Sequence, residues 1–228
     1  MRIGIVIAAW QRHSLLRMTL RHLQSVVEPD DIVSVVGSES EVREIVAEAG
    51  FEYTSAPNRP LSNKRNQGLL PLRGRVDAVV VLNSDDFLSK DLLEAHRSLL
   101  PEHPVMGLEG LVFLVAAQKR FYVWPRYKNR ARRVVGIGPG RAIRADVLDR
   151  LDWQLWPGGH NRELDGQMAR RLPPIHLIPL APMFGLVDVK APDTNITSWH
   201  GTAKSTDRLY SIREDQLPFP PGTFDGLL

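Results

Sequence analysis

The sequence predicts an α/β fold in which a mostly parallel central sheet is flanked by helices, with a smaller β-containing second half. Apolar runs of strand length alternate with amphipathic stretches of helix length from the N-terminus to about residue 100. Two of those runs, residues 3–9 (IGIVIAA) and the VVVL end of residues 76–82, are continuously apolar, as strands covered on both faces must be. Regular strand–helix alternation folds as right-handed crossover units that lay the strands parallel in one sheet.

Residues 3–9 form the first strand. Leu16, Leu20, Leu23 and Val27 then recur at helical spacing and give one buried stripe. Residues 32–36 are a second short β-rich run, and Ser40 is a candidate cap for a helix that Gly50 closes. Residues 51–54 give a third strand, followed by a polar loop and a helix over 63–70. Residues 76–82 are the fourth strand. Beyond residue 100 the alternation breaks: 105–140 read as shorter β segments, 144–151 and 163–171 as helices, and the tail is rich in proline. The expectation is one domain over 1–228, its first half (1–100) a nucleotide-binding layer and its second half (101–228) built against it.

Composition narrows the chemistry. The chain has 228 residues, 43% hydrophobic and 24% charged, enough to bury a core without staples. It contains no cysteine, which excludes thiol catalysis, cysteine-ligated zinc and a disulfide framework. The first apolar run is too short for a signal sequence, and none reaches the ~18 residues of a membrane span, so a cytoplasmic protein without a transmembrane segment is expected. The first turn lacks Gly-x-Gly-x-x-Gly and there is no Walker loop, which disfavours a dinucleotide enzyme and a P-loop enzyme.

In a sheet of this kind ligands bind beyond the carboxyl ends of the strands. Ala9 ends the first strand and Trp10, Gln11 and Arg12 follow it; Ser38, Glu39 and Ser40 follow the second, and Asn83, Ser84, Asp85 and Asp86 the fourth. Adjacent carboxylates at that edge suit a hard cation such as Mn²⁺ or Mg²⁺, which would neutralise a departing diphosphate. The same aspartates also suit a turn capping the next helix.

Four pieces in order carry a family resemblance: the run Asn58-x-Pro-Leu-Ser-Asn-Lys-Arg65-Asn66-Gln-Gly68, then VVVLNSDDF, then Gly136-Ile-Gly138-Pro-Gly140-Arg-Ala-Ile-Arg, then Glu163-Leu-Asp165-Gly-Gln-Met-Ala-Arg170. Over residues 1–172 the chain resembles the family 2 glycosyltransferases of the GT-A fold. The resemblance implies a nucleotide-sugar donor, a UDP-sugar first among them, held by Ala9, Gln11, Arg12, Glu39, Arg65, Asn66, Asn83 and Ser84. It implies a metal on Asp85 and Asp86, with a late histidine, His200, as a further ligand or a structural residue. Asp165 becomes the base that deprotonates the acceptor hydroxyl, with inversion at the anomeric carbon; the alternative is an exposed helix acid near Arg170. Residues 101–228 become the acceptor half. Three positions depart from the family: Gly37-Ser38-Glu39-Ser40 replaces its paired aspartates, Asn83 begins its metal motif, and Leu164 stands where a glutamate is common.

Residues 119–133 hold seven cations, four aromatics and no acid; removing those seven from the +3 total leaves −4 for the rest of the chain. Cations neutralise phosphates and aromatics stack on bases, so Trp124, Arg126, Arg130, Arg132 and Arg133, with Gly138, are candidates for binding an acceptor. A nucleic acid carrying a hydroxymethylated, flipped-out base is one such acceptor; a surface glycan, a protein or a lipid-linked sugar are others, and a solvated hairpin packing its aromatics inward is the plain structural alternative. A nucleotidyltransferase, a metal-dependent nuclease and a non-catalytic nucleic-acid-binding module are the competing classes.

Overall fold

The computed structural model describes residues 1–181, 184–190 and 209–227; the expected ligand His200 lies outside the described residues. The first half alternates as expected: β1 (Ile3–Ala8), α1 (His13–Val26), β2 (Ile32–Gly37), α2 (Ser40–Glu48), β3 (Glu52–Ser55), α3 (Leu61–Leu69) and β4 (Ala78–Asn83). Leu16, Leu20 and Leu23 form the buried stripe of α1, each 0% exposed. Ser40 is the first residue of α2 and Glu39 occupies its cap, one position earlier than expected. Gly50, at φ +72°, turns the chain away after that helix, a conformation free of steric cost only without a Cβ.

The second half contributes β5 (Asp86–Leu88), α4 (Lys90–Leu99), β6 (Val105–Leu108), β7 (Leu111–Val115), β8 (Arg120–Trp124), α5 (Arg130–Arg133), β9 (Ile137–Arg144), α6 (Ala145–Asp149), α7 (Leu164–Ala169), β10 (His176–Ile178), β11 (Leu186–Lys190) and β12 (Tyr210–Ile212). Seven strands form the main sheet in the order β10-β6-β9-β4-β1-β2-β3. β4, β1, β2 and β3 run parallel, and β9 inserts antiparallel between β4 and β6. A second sheet, in the order β12-β8-β7-β11-β5, is a layer the sequence pattern does not announce. One buried cluster joins Ile5, Val80 and Leu82 of the main sheet to Leu88, Phe113 and Leu186 of the second.

Helix α3 packs directly on the sheet at Gly68. A Cβ on Gly68 would meet Val36 Cγ1 at 2.8 Å and Val6 Cγ2 at 3.0 Å, so glycine there lets the helix settle onto β1 and β2. Among the described residues no helix is long and apolar enough to cross a membrane.

Ile5 sits at the middle of β1, 0% exposed and flanked by β2 and β4. Ile5→Ala should lower the unfolding free energy by about 2–5 kcal/mol, read as a lower urea midpoint at unchanged m-value.

Candidate active site

The site starts where β1 ends. Ala9 is still tied to the sheet, its N–H donating to Val36 O at 2.9 Å. Gln11 and Arg12 then both take left-handed backbone angles, φ +55° and +53°, a conformation that costs energy for residues with a Cβ. Gln11 N–H donates to Glu39 Oε2 at 2.7 Å, which fixes the turn against the end of β2. Its outcome is to send Arg12 sideways to the end of β4, where Nη1 meets Asp85 Oδ2 at 2.5 Å and Nη2 donates to Ser84 Oγ at 3.2 Å.

At the end of β4 the two aspartates part company. Asp85 faces the ligand edge, on the Arg12 guanidinium. Asp86 is 0% exposed; its Oδ2 accepts from Asn83 N–H at 2.6 Å, and across the β5–β11 ladder it stands opposite Asp188. Burial, then the charges of Asp188 and Asp85, push the Asp86 carboxyl well above the usual range. Asp188 is raised by burial as well, opposed by Lys190, whose Nζ lies 2.8 Å from Asp188 Oδ2. The expectation that both aspartates face a metal is therefore corrected for Asp86, which bridges the two sheets. Among the described residues no three histidine, aspartate or glutamate side chains converge as a metal site. Asp85 alone still fits a hard cation shared with a donor diphosphate, since magnesium-type ions bind through one or two carboxylates with phosphate oxygens and water completing the shell.

Helix α3 presents its motif in two directions. Asn66 turns inward, and both ends of its amide serve the backbone of Trp156: Nδ2 donates to Trp156 O at 2.8 Å and Oδ1 accepts from Trp156 N at 3.1 Å. Ser62 exchanges bonds with the backbone of His160, and Asn63 Oδ1 accepts from Gly159 N–H at 3.1 Å. Asn66 thus pins the 156–161 loop instead of touching a donor, as the resemblance had implied. Arg65 turns outward. Its Nη2 donates to Asn83 Oδ1 at 2.6 Å, its guanidinium lies 5.4 Å above the Trp156 ring, and it faces Asp165, Asp86 and Asp85 electrostatically.

The pinned loop leads into α7, which brings Asp165 half-buried to a cavity of about 900 Å³. Gly138 supports that carboxylate from β9: a Cβ there would collide with Asp165 Oδ1 and Cγ. Gly138, expected to border an acceptor, instead makes room for the base candidate. Arg65, Tyr127, Arg132, Arg162, Glu163 and Arg170 are among the residues lining the cavity.

The basic segment divides. Arg132 reaches the cavity and lies 5.5 Å over the Tyr127 ring. Arg133 holds the loop together, with Nε donating to Tyr127 O at 2.8 Å. Arg126 is exposed, 3.9 Å from Glu109, and Arg130 is exposed at the start of α5. Trp124, 3% exposed, packs edge-on against Phe113 and Tyr127, so the core takes the aromatic that the sequence offered to an acceptor. Arg162 and Tyr127 line the cavity without having been singled out. Arg162 lies three residues before Asp165 and Tyr127 directly follows Arg126, which was the only signal available.

Comparisons agree with this architecture. No protein-family model matches the chain, and no curated protein matches it in sequence. Among solved structures the chain is similar to residues 1–349 of S. aureus TarS in complex with UDP-GlcNAc, at 16% identity and a TM-score of 0.61, covering 85% of this chain and 60% of that one. It is also similar to the mannosyltransferase PcManGT from Pyrobaculum calidifontis in complex with GDP-Man and Mn²⁺, at 18% identity and a TM-score of 0.56, covering 84% of this chain and 57% of that one. The chain thus spans about 60% of the length of the first of these. At such identities the likeness establishes the fold, which is GT-A.

Lys64, 1% exposed, lies under the end of β1, its Nζ donating to Ala9 O at 2.5 Å and Asn58 Oδ1 at 2.9 Å. Burial pulls its ammonium down to about 8, partly offset by Glu39. An unfolded lysine titrates near ~10.4, so between those values the unfolded chain binds more protons and stability should rise with pH. Lys64→Met should flatten that rise, checked by urea unfolding of both proteins at about pH 7.5 and about pH 10.

Proposed function

We propose that the chain is a glycosyltransferase, moving a sugar from a nucleotide-sugar donor (a UDP-sugar in the first instance) to an acceptor hydroxyl with inversion, in the cytoplasm. The observation that carries this reading is the Asp165 carboxylate: half-buried at the cavity, seated on the bare backbone of Gly138, and faced by Arg65, which also holds Asn83 at the end of β4. The TarS complex with UDP-GlcNAc and the PcManGT complex with GDP-Man support a donor of this class.

In this reaction Asp165 accepts the proton of the acceptor hydroxyl while that oxygen forms a bond to the anomeric carbon. The bond from that carbon to the diphosphate oxygen breaks, and its electron pair leaves on the diphosphate. One base and one direct displacement invert the centre. Arg65 and Arg12 are the cations for the diphosphate, whose oxygens suit the guanidinium fork. Ala9, Gln11, Glu39 and Ser84 border the nucleotide. Asp85 would hold Mn²⁺ or Mg²⁺ together with the diphosphate, and a metal there supplies Lewis-acid neutralisation of the leaving group.

The acceptor is proposed to be anionic. Arg65, Arg132, Arg162 and Arg170 line the cavity against Glu163 and Asp165, and Arg126 and Arg130 are exposed in the same segment as Arg132. A hydroxymethylated base in DNA and an anionic surface glycan share that chemistry, and the salt slope of transfer to each separates them.

Thermal unfolding against a panel of nucleoside diphosphates and nucleotide-sugars, with and without Mn²⁺, tests the donor. A specific, Mn²⁺-dependent rise with one nucleotide is expected. Asp85→Ala should weaken that binding about tenfold or more. Asp165→Asn should leave it intact and lower transfer by about 10²–10⁴-fold. A rise with DNA alone, and none with any nucleotide, would favour a nuclease or a binding module instead.

A further inference from the structure

The cavity at Asp165 carries more positive charge than its own acids answer. Arg132, Arg162 and Arg170 line it and are exposed, and Arg65 adds a fourth cation from α3. Glu163 and Asp165 are the carboxylates on the same wall, so the described lining has a formal excess of two positive charges (4 − 2). Among the described residues the side chains of Arg162 and Arg170 make no hydrogen bond or ion pair, and neither Glu163 nor Asp165 forms a salt bridge. Arg170 nevertheless has a direction: a Cβ on Gly166 would lie 3.8 Å from its Nη1, so the guanidinium folds back along α7 towards the residue after Asp165. Glu163 stands at φ +57°, a left-handed conformation that costs energy for a residue with a Cβ and that clusters at sites of function.

Opposite charges that share a wall without pairing are open to a ligand that complements both. Guanidinium forks take phosphate oxygens in pairs, and every cation on this wall is an arginine. Carboxylates accept hydrogen bonds from hydroxyls; Asp165 takes the one that reacts, which leaves Glu163 for a neighbouring one. A nucleobase, by contrast, is held by stacking on an open aromatic face. Tyr127 is the one aromatic residue lining the cavity among the described residues. Its ring is already engaged, by Trp124 at 4.6 Å between centroids and by the Arg132 guanidinium 5.5 Å over it. Phosphates and hydroxyls without bases match this wall on all three counts.

We propose that the acceptor is a phosphodiester-linked chain of polyols or sugars without nucleobases. Arg132, Arg162 and Arg170 take its phosphates, Glu163 holds one hydroxyl, and Asp165 holds the hydroxyl that receives the sugar. This deepens the glycosyltransferase reading above and rests on it.

The test follows binding and sugar transfer with four oligomers of matched charge, in the presence of the donor found by thermal unfolding. Two are base-free phosphodiesters, one of glycerol and one of mannose; the others are single-stranded DNA and polygalacturonate, which carries carboxylates instead of phosphates. At least one base-free phosphodiester should accept sugar and bind about tenfold tighter than DNA or polygalacturonate, a difference of about 1.4 kcal/mol. Arg162→Gln and Arg170→Gln, both at exposed positions, should each weaken that binding about tenfold and flatten its salt dependence, with donor binding kept within about twofold. Glu163→Ala should raise KM for the same oligomer about three- to tenfold at nearly unchanged kcat. The proposal is overturned if DNA or polygalacturonate binds as tightly as both base-free oligomers, if neither of those receives sugar, or if neither arginine substitution moves the affinity. Donor binding separates the two levels. A donor that binds while the base-free oligomers fail removes only this acceptor, whereas no response to any nucleotide-sugar removes the glycosyltransferase reading and the proposal together.

Discussion

Two hydrogen bonds between the amide of Asn66, which donates one and accepts the other, and the backbone of Trp156 couple segments 90 residues apart, and the site depends on them. They are buried, so each lost partner would leave a polar backbone group unsatisfied, which costs about 1–3 kcal/mol. Ser62 and Asn63 extend the seam to His160 and Gly159, and Leu61 N–H donates to Asn161 Oδ1 at 3.0 Å. One turn of helix therefore sets the position of the loop that carries the chain into α7. Because Arg65 belongs to that same turn, the cation and the Asp165 carboxylate it faces are fixed by a single seam.

Around this seam the molecule concentrates charge that water does not screen. Asp86, Asp188 and Lys190 lie between the sheets, Arg141 lies in the main sheet, and Lys64 lies under the end of β1. Each has a neighbour that explains part of its burial: the Asn83 N–H for Asp86, Asp188 for Lys190, two carbonyls for Arg141, and Ala9 O with Asn58 for Lys64. Buried charges hold their partners in direction as well as in energy, and every one of these partners lies at or beside the ligand edge of the sheet.

How far the sequence was legible follows from the range of the interactions. β1, β2 and β4 were readable because each is a local, mostly apolar run buried along its length, whereas β3 is a half-buried strand at the sheet edge. The second sheet was not, because β5 and β12 are three residues each and β5 pairs with β11 about a hundred residues away. The strand-end residues Gln11, Arg12, Glu39, Asn83 and Asp85 came out at one edge as the topology rule required. Asn66 did not, since an amide suits a ligand and a backbone equally and residue type carries no direction. Trp124 was misjudged for a related reason: aromatics among cations look like a stacking surface until Phe113 and Tyr127 are seen to enclose it. Arg141 gave no signal of its own, because a buried cation in a strand looks like any other arginine in sequence.

The contact between Arg12 and Asp85 has a kinetic meaning. Arg12 and Asp85 neutralise each other, so on the proposed function a diphosphate reaching this edge would have to exchange partners with the pair rather than meet a lone charge. Part of the attraction would be cancelled by the pair that is broken, and affinity would be capped accordingly. The same pair would re-form as the nucleotide left, competing with it from within the molecule at an effective concentration no solute reaches. A glycosyltransferase built this way would trade tight capture for prompt turnover, with its own ion pair clearing the site after each transfer.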